Sequence, residues 1–319
     1  MRCNSYPRVN RHIQIIVTPG SGEGRANATA RRLRKLLAKR GDQASVRTYT
    51  DLAALERWAR TCEPDFTHLV CVGGDATQSA AARAAVRLSI PFIPVPNGFG
   101  NMFARAFGHP DRAEQVAALL ERGEIRRVDV GLANEDELFL SHRSYGPLQQ
   151  IQETVENGGG QPKSRLARHL AYYGMAKRFL IDARPPSIRV EVDGNLAANG
   201  ARLVTVANVE TYRGFLPLTP TASPIDGLLD VFILPRMSRL RLNFRLLLLL
   251  LRAPGRWNGV VLCRGRRVVI TLNGRHREEL RTVRHALPLL VPPGSLETLG
   301  QRTRETDGPP LNGVVAKAS

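Results

Sequence analysis

Residues 67–86 read THLVCVGGDATQSAAARAAV, and this stretch decides the predicted fold. The apolar run 69–72 is rich in β-forming residues, as is typical of a strand buried on both faces. Gly73 and Gly74 interrupt the run, and an alanine-rich segment predicts a helix over residues 77–88. A strand whose glycines open a helix forms an anion site, because backbone N–H groups and the positive helix end both face the ligand.

Two further strands in the first half of the chain also end in glycine loops. The apolar run HIQIIV at 12–17 precedes TPGSGEG at 18–24, and a second run precedes PNGFGNMFAR at 96–105. Ligands of open α/β sheets bind at the carboxyl ends of the strands. Strands that alternate with helices therefore predict a doubly wound parallel α/β domain over residues 1–131. Asp75 follows the two glycines and is our candidate for holding a metal ion against phosphate oxygens.

The pattern changes after residue 131, where short alternating runs and turn dipeptides replace the strand–helix rhythm. The alternating runs lie at 188–192, 201–207, 228–234, 258–263 and 266–272. With Asp-Gly and Asn-Gly turns, these runs predict a mainly antiparallel β-sandwich domain over 132–300, with a few helices such as one at 165–182. Because pockets form preferentially between domains, we expect the active site in the interdomain cleft. The polar, Gly- and Pro-containing tail 301–319 is expected to be disordered.

Composition narrows the class of protein and its partners. The formal net charge of +18 over 319 residues favours an anionic membrane surface or a phosphorylated substrate, although an arginine-biased solvated surface would give the same charge. The arginines are scattered without interleaved aromatic residues, which disfavours nucleic acid as a partner. Four cysteines without C-x-x-C spacing, and no recognisable leader, predict reduced thiols in the cytoplasm. We also expect no membrane-spanning helix, since no apolar run approaches about 18 residues.

One segment of the second half stands out by its leucine content. Residues 238–252 read SRLRLNFRLLLLLLR, with arginines at the margins of the apolar run. As a helix, this segment is either an interfacial element that lies on an anionic membrane or a core helix that covers a sheet.

Four motifs together resemble the diacylglycerol kinase catalytic domain family, which includes YegS-like and sphingosine kinase-like lipid kinases. They are TPGSG at 18–22, GGDAT at 73–77, PNGFGNMFAR at 96–105 and DGLLD at 226–230, in the order and spacing of the family. The resemblance covers roughly residues 12 to 300. It implies an ATP-dependent kinase that uses Mg²⁺ to transfer the γ-phosphate to a lipid hydroxyl, of the diacylglycerol or long-chain base type. It also implies a cytoplasmic protein that is peripheral to the inner membrane face, and it leaves the oligomeric state open.

The same resemblance assigns candidate site residues. Nucleotide contacts are carried over to Thr18, Ser21, Gly22, Thr48, Gly73, Gly74, Asp75, Ala76, Thr77, Gly98, Gly100 and Asn101. Thr50 is a rival for the role of Thr48. Asp226 is implied as the general base that takes the proton of the lipid hydroxyl, and Asp75 shares that role because some members are interpreted with the GGD aspartate as the base. Asp75 is also the tentative metal residue, acting through the nucleotide phosphates, and Asp230 is either structural or a second metal residue.

The chain departs from the family pattern at several of these positions. Thr18 stands where the family has asparagine, and Phe99 and Met102 stand where it has a hydroxyl and a carboxylate. Ala76 replaces a glycine, so its methyl group is expected either to obstruct a phosphate or to forbid a positive φ. These departures favour an alternative interpretation as a catalytically impaired relative that binds nucleotide or lipid. NAD kinase-like activity is a further alternative, which the DGLLD motif disfavours.

Overall fold

The computed structural model describes residues 11–18, 25–98, 100–146, 187–213, 216–236, 238, 241 and 260–295. These residues divide into two compact units. The first unit takes its described residues from 11–130, 138–140 and 283–295, and the second from 131–137 and 141–282. The predicted second domain, 132–300, includes two segments, 138–140 and 283–295, that lie in the first unit.

The first unit is built from parallel strands joined by helices. Its four parallel strands are β1 (His12–Val17), β2 (Gln43–Thr48), β3 (His68–Gly73) and β4 (Phe92–Pro96). Its helices are α1 (Arg25–Lys39), α2 (Leu52–Thr61), α3 (Asp75–Leu88), α4 (Met102–Ala106) and α5 (Ala113–Arg122). The strands lie in the order β2-β1-β3-β4, and every neighbouring pair is parallel. This is the predicted doubly wound arrangement.

The strands of this sheet are apolar because both of its faces are covered. On one face, Ile15, Val70 and Ile93 belong to a fully buried cluster with residues of α1 and α5. On the other face, the alternate residues Ile16 and Cys71 are also fully buried, and α2 packs against α3. A strand with two covered faces reads as a continuous apolar run, as predicted for residues 69–72.

The described ends of three helices have the capping residues or glycines that are typical of helix ends. Asp51 caps α2 by accepting hydrogen bonds from the N–H groups of Ala53 and Ala54. Gly41 has a φ of +85° and lies two residues after the end of α1. Helix α3 begins at Asp75, two residues before the predicted start, because Gly74 is extended and acts as the N-cap residue.

The second unit contains antiparallel sheets. Its strands are β7 (His142–Tyr145), β8 (Ile188–Val192), β9 (Asn195–Ala201), β10 (Leu203–Ala207), β11 (Thr211–Arg213), β12 (Leu216–Thr219), β13 (Leu229–Leu234), β14 (Val261–Gly265) and β15 (Arg267–Leu272). One sheet has the order β14-β13-β10-β7, β15 pairs with β8 and β8 with β9, and β11 pairs with β12. Positive φ angles at Asp193-Gly194 and Asn273-Gly274 support the two predicted hairpin turns. The antiparallel β-sandwich prediction is confirmed.

Three strands contribute residues to both units. They are β5 (Glu124–Ala133), β6 (Glu137–Phe139) and β16 (His276–Val291). The first part of β16 pairs with β15 in the second unit, whereas Leu289 near its end pairs in parallel with Phe92 of β4 in the first. The sequence did not show this long strand, because its charged first half and apolar second half read as separate segments.

Several predictions lie outside the described residues. They concern the helix at 165–182, nearly all of the leucine-rich segment, the tail from residue 301, and the loop positions Ser21, Gly22 and Phe99. Within the part of the chain that the structure describes, no helix has both the length and the apolar character needed to cross a membrane.

Candidate active site

The carboxyl ends of the parallel strands lie at one edge of the first unit's sheet. Val17 is in register with Thr48 of β2 and Val72 of β3, and Gly73 is in register with Pro96 of β4. The residues that follow β1, β3 and β4 therefore meet at this edge, as the sequence predicted. Thr48 lies exposed at the end of β2, and its rival Thr50 is also exposed.

The N-terminus of α3 is formed by backbone groups. Gly74 has an extended conformation, and α3 has no side-chain cap hydrogen bond at this end. The N–H of Gln78 donates to the Gly74 carbonyl at 2.9 Å, so the N–H groups before it in the helix have no intrahelical acceptor. Such N–H groups, together with the positive end of the helix dipole, favour an anion.

Two glycine loops touch at this helix end through their backbones. A Cβ atom added at Gly98 would lie 2.8 Å from the Cα of Gly74, and one added at Gly73 would lie 2.8 Å from the Cβ of Thr77. Both separations are too short for real side-chain contacts. Glycine at 98 therefore permits the close approach of the β3–α3 and β4–α4 connections, and glycine at 73 leaves room for the Thr77 side chain.

Asp75 links the two connections through its carboxylate. Its Oδ1 accepts a hydrogen bond of 2.8 Å from the N–H of Met102, the first residue of α4. A Cβ atom at Gly100 would lie 2.6 Å from Oδ2, so this glycine makes room for the carboxylate. Within the described ranges, no three His, Cys, Asp or Glu side chains gather as metal ligands.

The buried side chain of Asn101 binds the backbone of the β4–α4 loop. It is 2% exposed and has a φ of +50°. Its Oδ1 accepts from the Gly98 N–H at 3.1 Å, and its Nδ2 donates to the Gly98 carbonyl. The side chain carried over as a nucleotide contact thus binds the loop's own backbone.

Two departures from the family pattern are accommodated in this region. The hydroxyl of Thr18, which replaces asparagine, lies 2.9 Å from the hydroxyl of buried Thr77, so β1 remains joined to α3. Ala76 lies in the first turn of α3, where its side chain is exposed and its φ is not positive. Ala76 therefore adopts an ordinary helical conformation here.

Gln78 is a residue of this region that the sequence analysis missed. It is fully buried, and its Nε2 donates to the carbonyls of Gly73 at 3.0 Å and Val95 at 3.5 Å. It thereby joins the ends of β3 and β4. A glutamine one turn into an alanine-rich helix was the only available signal.

A polar cavity of about 930 Å³ lies beside the Gly98 loop, between the first turns of α1 and α5. Charged residues in its lining are Arg25, Arg32, Arg105, Asp111, Arg112 and Glu114. The Arg32 guanidinium donates to Glu114 at 2.8 Å. His109 also lines the cavity, and its Nε2 lies 2.9 Å from the Leu290 carbonyl. Burial lowers the pKa of His109 to about 4, so the ring is neutral at pH 7.

In the second unit, Asp226 lies in a turn held by side-chain contacts. Its Oδ1 accepts from the N–H of Leu228 at 2.9 Å, and Gly227 has a φ of +75°. Its Oδ2 accepts from Arg264 Nη2 at 2.6 Å, and the Asp226 side chain is 28% exposed. The candidate base is therefore an oriented carboxylate in contact with a guanidinium.

Asp230 follows on β13, in register with Arg264 of β14. Its Oδ1 accepts from the Thr221 hydroxyl at 2.5 Å, and its Oδ2 accepts from Arg264 Nε at 3.2 Å. Burial raises the pKa of Asp230, whereas the contacts with Thr221 and Arg264 act in the opposite direction. These contacts support the structural role considered for Asp230 rather than the metal role. Arg264 belongs to none of the four sequence motifs and was not predicted as a site residue.

Comparisons with known proteins agree with this division of the chain. The family model described as Diacylglycerol kinase catalytic domain matches residues 12–133, and the one described as YegS C-terminal NAD kinase beta sandwich-like domain matches residues 156–282. Together they account for most of the chain.

Two bacterial proteins are similar to this chain over about 70% of its length. A diacylglycerol kinase of Bacillus subtilis is 28% identical over 242 residues, which are 70% of this chain and 74% of that protein. A diacylglycerol kinase of Staphylococcus saprophyticus is 26% identical over 235 residues, or 72% of this chain and 75% of that protein.

A solved structure shows the same fold. The crystal structure of a diacylglycerol kinase from Bacillus anthracis superposes with a TM-score of 0.67 at 18% identity, covering 91% of this chain and 99% of that one. By the two family models, which together match most of its residues, the chain belongs to the family that joins a diacylglycerol kinase catalytic domain to a YegS-type β-sandwich domain.

Proposed function

We propose that this protein is an ATP-dependent lipid kinase that transfers the γ-phosphate to a hydroxyl of a diacylglycerol or long-chain base. The observation that carries the proposal is the N-terminus of α3, where the backbones of Gly74 and Gly98 approach each other beside Asp75, in a member of this family. This helix end is the proposed anion site. The kinase class follows from the family, whereas the donor and the acceptor are part of the proposal.

The geometry of the helix end suits a polyphosphate. N–H groups of the first turn of α3 bind phosphate oxygens, and Gly74 allows the close approach of those oxygens because it has no side chain. Donors held in place before the reaction stabilise the charge that develops on a transferring phosphoryl group. The bond between Asp75 and Met102 fixes the two loops that would enclose it.

Asp75 is the residue proposed to hold Mg²⁺ together with the nucleotide phosphates. Mg²⁺ is usually bound in proteins through one or two carboxylates plus substrate phosphates, so a single carboxylate at the helix end is sufficient. The metal would neutralise phosphate charge during transfer. Asp230 is not proposed as a ligand, since its side chain is only 5% exposed and already pairs with Thr221 and Arg264.

Asp226 is proposed as the general base. Its carboxylate accepts the proton of the lipid hydroxyl while that oxygen forms a bond to the γ-phosphorus, and the bond from the γ-phosphorus to the β–γ bridging oxygen breaks to release ADP. Asp75 remains the alternative base. An anionic membrane surface is the proposed source of the lipid, in agreement with the net charge of +18.

The test is transfer of labelled γ-phosphate from Mg-ATP to a panel of lipids in mixed micelles, with NAD⁺ as a non-lipid acceptor. We expect label in one lipid class and none in an Asp75→Ala variant. Label in NAD⁺ alone would replace the proposal with NAD kinase-like activity. No label in any acceptor, with no rise of the melting temperature on adding ATP, would identify a catalytically impaired relative.

A further inference from the structure

We infer that Arg264 is a positioning residue for Asp226, and that phosphoryl transfer depends on it through that carboxylate. The inference rests on the proposed function, in which Asp226 takes the proton of the acceptor hydroxyl. Its structural basis is one guanidinium that contacts both aspartates of the turn at residues 221–230.

The contacts use different nitrogens of the guanidinium. Nη2 donates to Asp226 Oδ2 at 2.6 Å and to the Thr221 carbonyl at 3.0 Å, whereas Nε donates to Asp230 Oδ2 at 3.2 Å. The arginine therefore holds the beginning of the turn, its exposed aspartate and its buried aspartate at the same time. Because the guanidinium is planar, these three contacts fix its orientation.

Burial distinguishes this network from an ordinary surface ion pair. The Asp230 side chain is only 5% exposed, and Thr221 also binds it, so the end of the network that anchors Arg264 is fixed. The Asp226 side chain is 28% exposed and can meet a substrate from solvent. Exposed pairs contribute little because their side chains are mobile, but here the buried carboxylate restricts the arginine.

The consequence for the chemistry is orientation. A general base must lie within hydrogen-bond distance of the proton that it accepts, and small displacements of reacting groups lower rates strongly. The Leu228 N–H holds one oxygen of Asp226 and Arg264 holds the other. Of these two contacts, the Asp226 carboxylate would keep only the one with the Leu228 N–H if Arg264 were replaced.

The first test compares variants in the lipid phosphorylation assay. Arg264→Met is expected to lower kcat about tenfold while KM for ATP changes less than about twofold, because the nucleotide loops lie in the other unit. Arg264→Lys keeps the positive charge but lacks the planar guanidinium, whose several N–H donors bind both aspartates at once. We therefore expect its kcat to lie between those of Arg264→Met and the wild type. Arg267→Met is the matched control, since Arg267 makes an exposed pair with Glu279 at 2.6 Å in the same unit. Melting temperatures exclude unfolded variants, and Arg264→Lys replaces Arg264→Met if the latter does not fold.

The deciding test is a double-mutant cycle. If Arg264 acts through Asp226, adding Arg264→Met to Asp226→Asn lowers kcat no further than Asp226→Asn alone. A further independent loss, or an unchanged kcat in folded Arg264→Met and Arg264→Lys, would overturn the inference while the active wild type still supports the kinase. A wild type inactive on every lipid would overturn the proposed function, and the inference with it.

Discussion

The N-terminus of α3 and the Asp226 turn are both proposed to serve phosphoryl transfer, but they are held together by different groups. At α3, the contacts mainly involve the backbone, as in the Gly98–Gly74 approach and the bond from Met102 N–H to Asp75, beside one pair of hydroxyl groups, Thr18 and Thr77. In the Asp226 turn, one arginine side chain joins two carboxylates.

This difference decides how each region responds to a change of sequence. Met102 replaces a carboxylate of the family pattern, yet it contributes its backbone N–H, which any residue except proline would provide. Ala76 contributes a helical residue with an exposed methyl group. In the Asp226 turn, by contrast, the contacts with Asp226 and Asp230 come from the Arg264 guanidinium, and they are lost when Arg264 is replaced by a residue without a charged side chain. The predictions below test this contrast.

The largest effect is expected from Gly98→Ala. The added Cβ would lie 2.8 Å from the Gly74 Cα and 3.3 Å from Asn101 Oδ1, so the two loops must separate. Because misplaced binding groups lower rates strongly, we expect kcat/KM for ATP to fall about 100-fold or more. Steady-state kinetics with varied ATP measure the loss.

Gly74→Ala is the control for Gly98→Ala, because it adds the same methyl group to the other glycine of the Gly98–Gly74 contact. Gly74 has a φ of −83°, and a Cβ there would have its nearest neighbour at 4.0 Å. We therefore expect the melting temperature to fall clearly more in Gly98→Ala than in Gly74→Ala. Equal melting temperatures would show that the approach of the two backbones is unimportant.

An acid-dependent loss of stability is expected in the first unit. Its cause is His109, whose pKa is lowered by burial to about 4 from an ordinary value near 6.5. The unfolded chain binds a proton below pH 6.5 that the folded chain does not, so the contribution is present above pH 6.5 and is lost as the pH falls toward 4. Between pH 7 and pH 5, the free energy of unfolding should fall by about 2 kcal/mol from this group.

Denaturant unfolding at the two pH values measures this loss. In His109→Leu, the difference between pH 7 and pH 5 should shrink by that amount. A remainder is expected from His68, whose pKa burial also lowers to about 4. The same difference in the variant and the wild type would contradict the assignment to His109.

A smaller effect, on turnover alone, is expected from Asp226→Asn. The amide keeps the size of the side chain but cannot accept the hydroxyl proton, so kcat should fall at least about tenfold, or about 1.4 kcal/mol, with ATP binding retained. Asp193→Asn is the matched control, because Asp193 begins another Asp-Gly turn of the same unit. An unchanged kcat in Asp226→Asn would remove its assignment as the base and leave Asp75.

The smallest effect is expected from Ala76→Gly, which restores the glycine of the family pattern. Since Ala76 is helical and exposed, we expect kcat to change less than about twofold and stability to fall by up to about 1 kcal/mol from the lower helix propensity of glycine. Steady-state kinetics and denaturant unfolding of the same preparation measure kcat and the free energy of unfolding. A large gain in activity would show that the methyl group does obstruct a phosphate.

Much of the first unit could be predicted from local patterns. A strand buried on both faces must be apolar along its length, which is why the sequence predicted β1, β3 and β4. Glycines between such a strand and a helix mark the loop that joins them, so the glycine loops were also predicted. Asp51 as a cap and Gly41 after α1 follow from the same local rules. The long strand β16 was missed, because pairing partners distant in the sequence leave no mark on its local pattern.

The sequence by itself determined the two fold classes, the order of the motifs and the positions of Asp75 and Asp226, because propensity, periodicity and glycine placement act over a few residues. Only the tertiary structure decided what surrounds them. The pairing of Arg264 with two aspartates spans 34 to 38 residues along the chain, and the bond from Met102 to Asp75 spans 27. Such contacts depend on strand register and loop closure, which bring distant residues together and which no local pattern encodes.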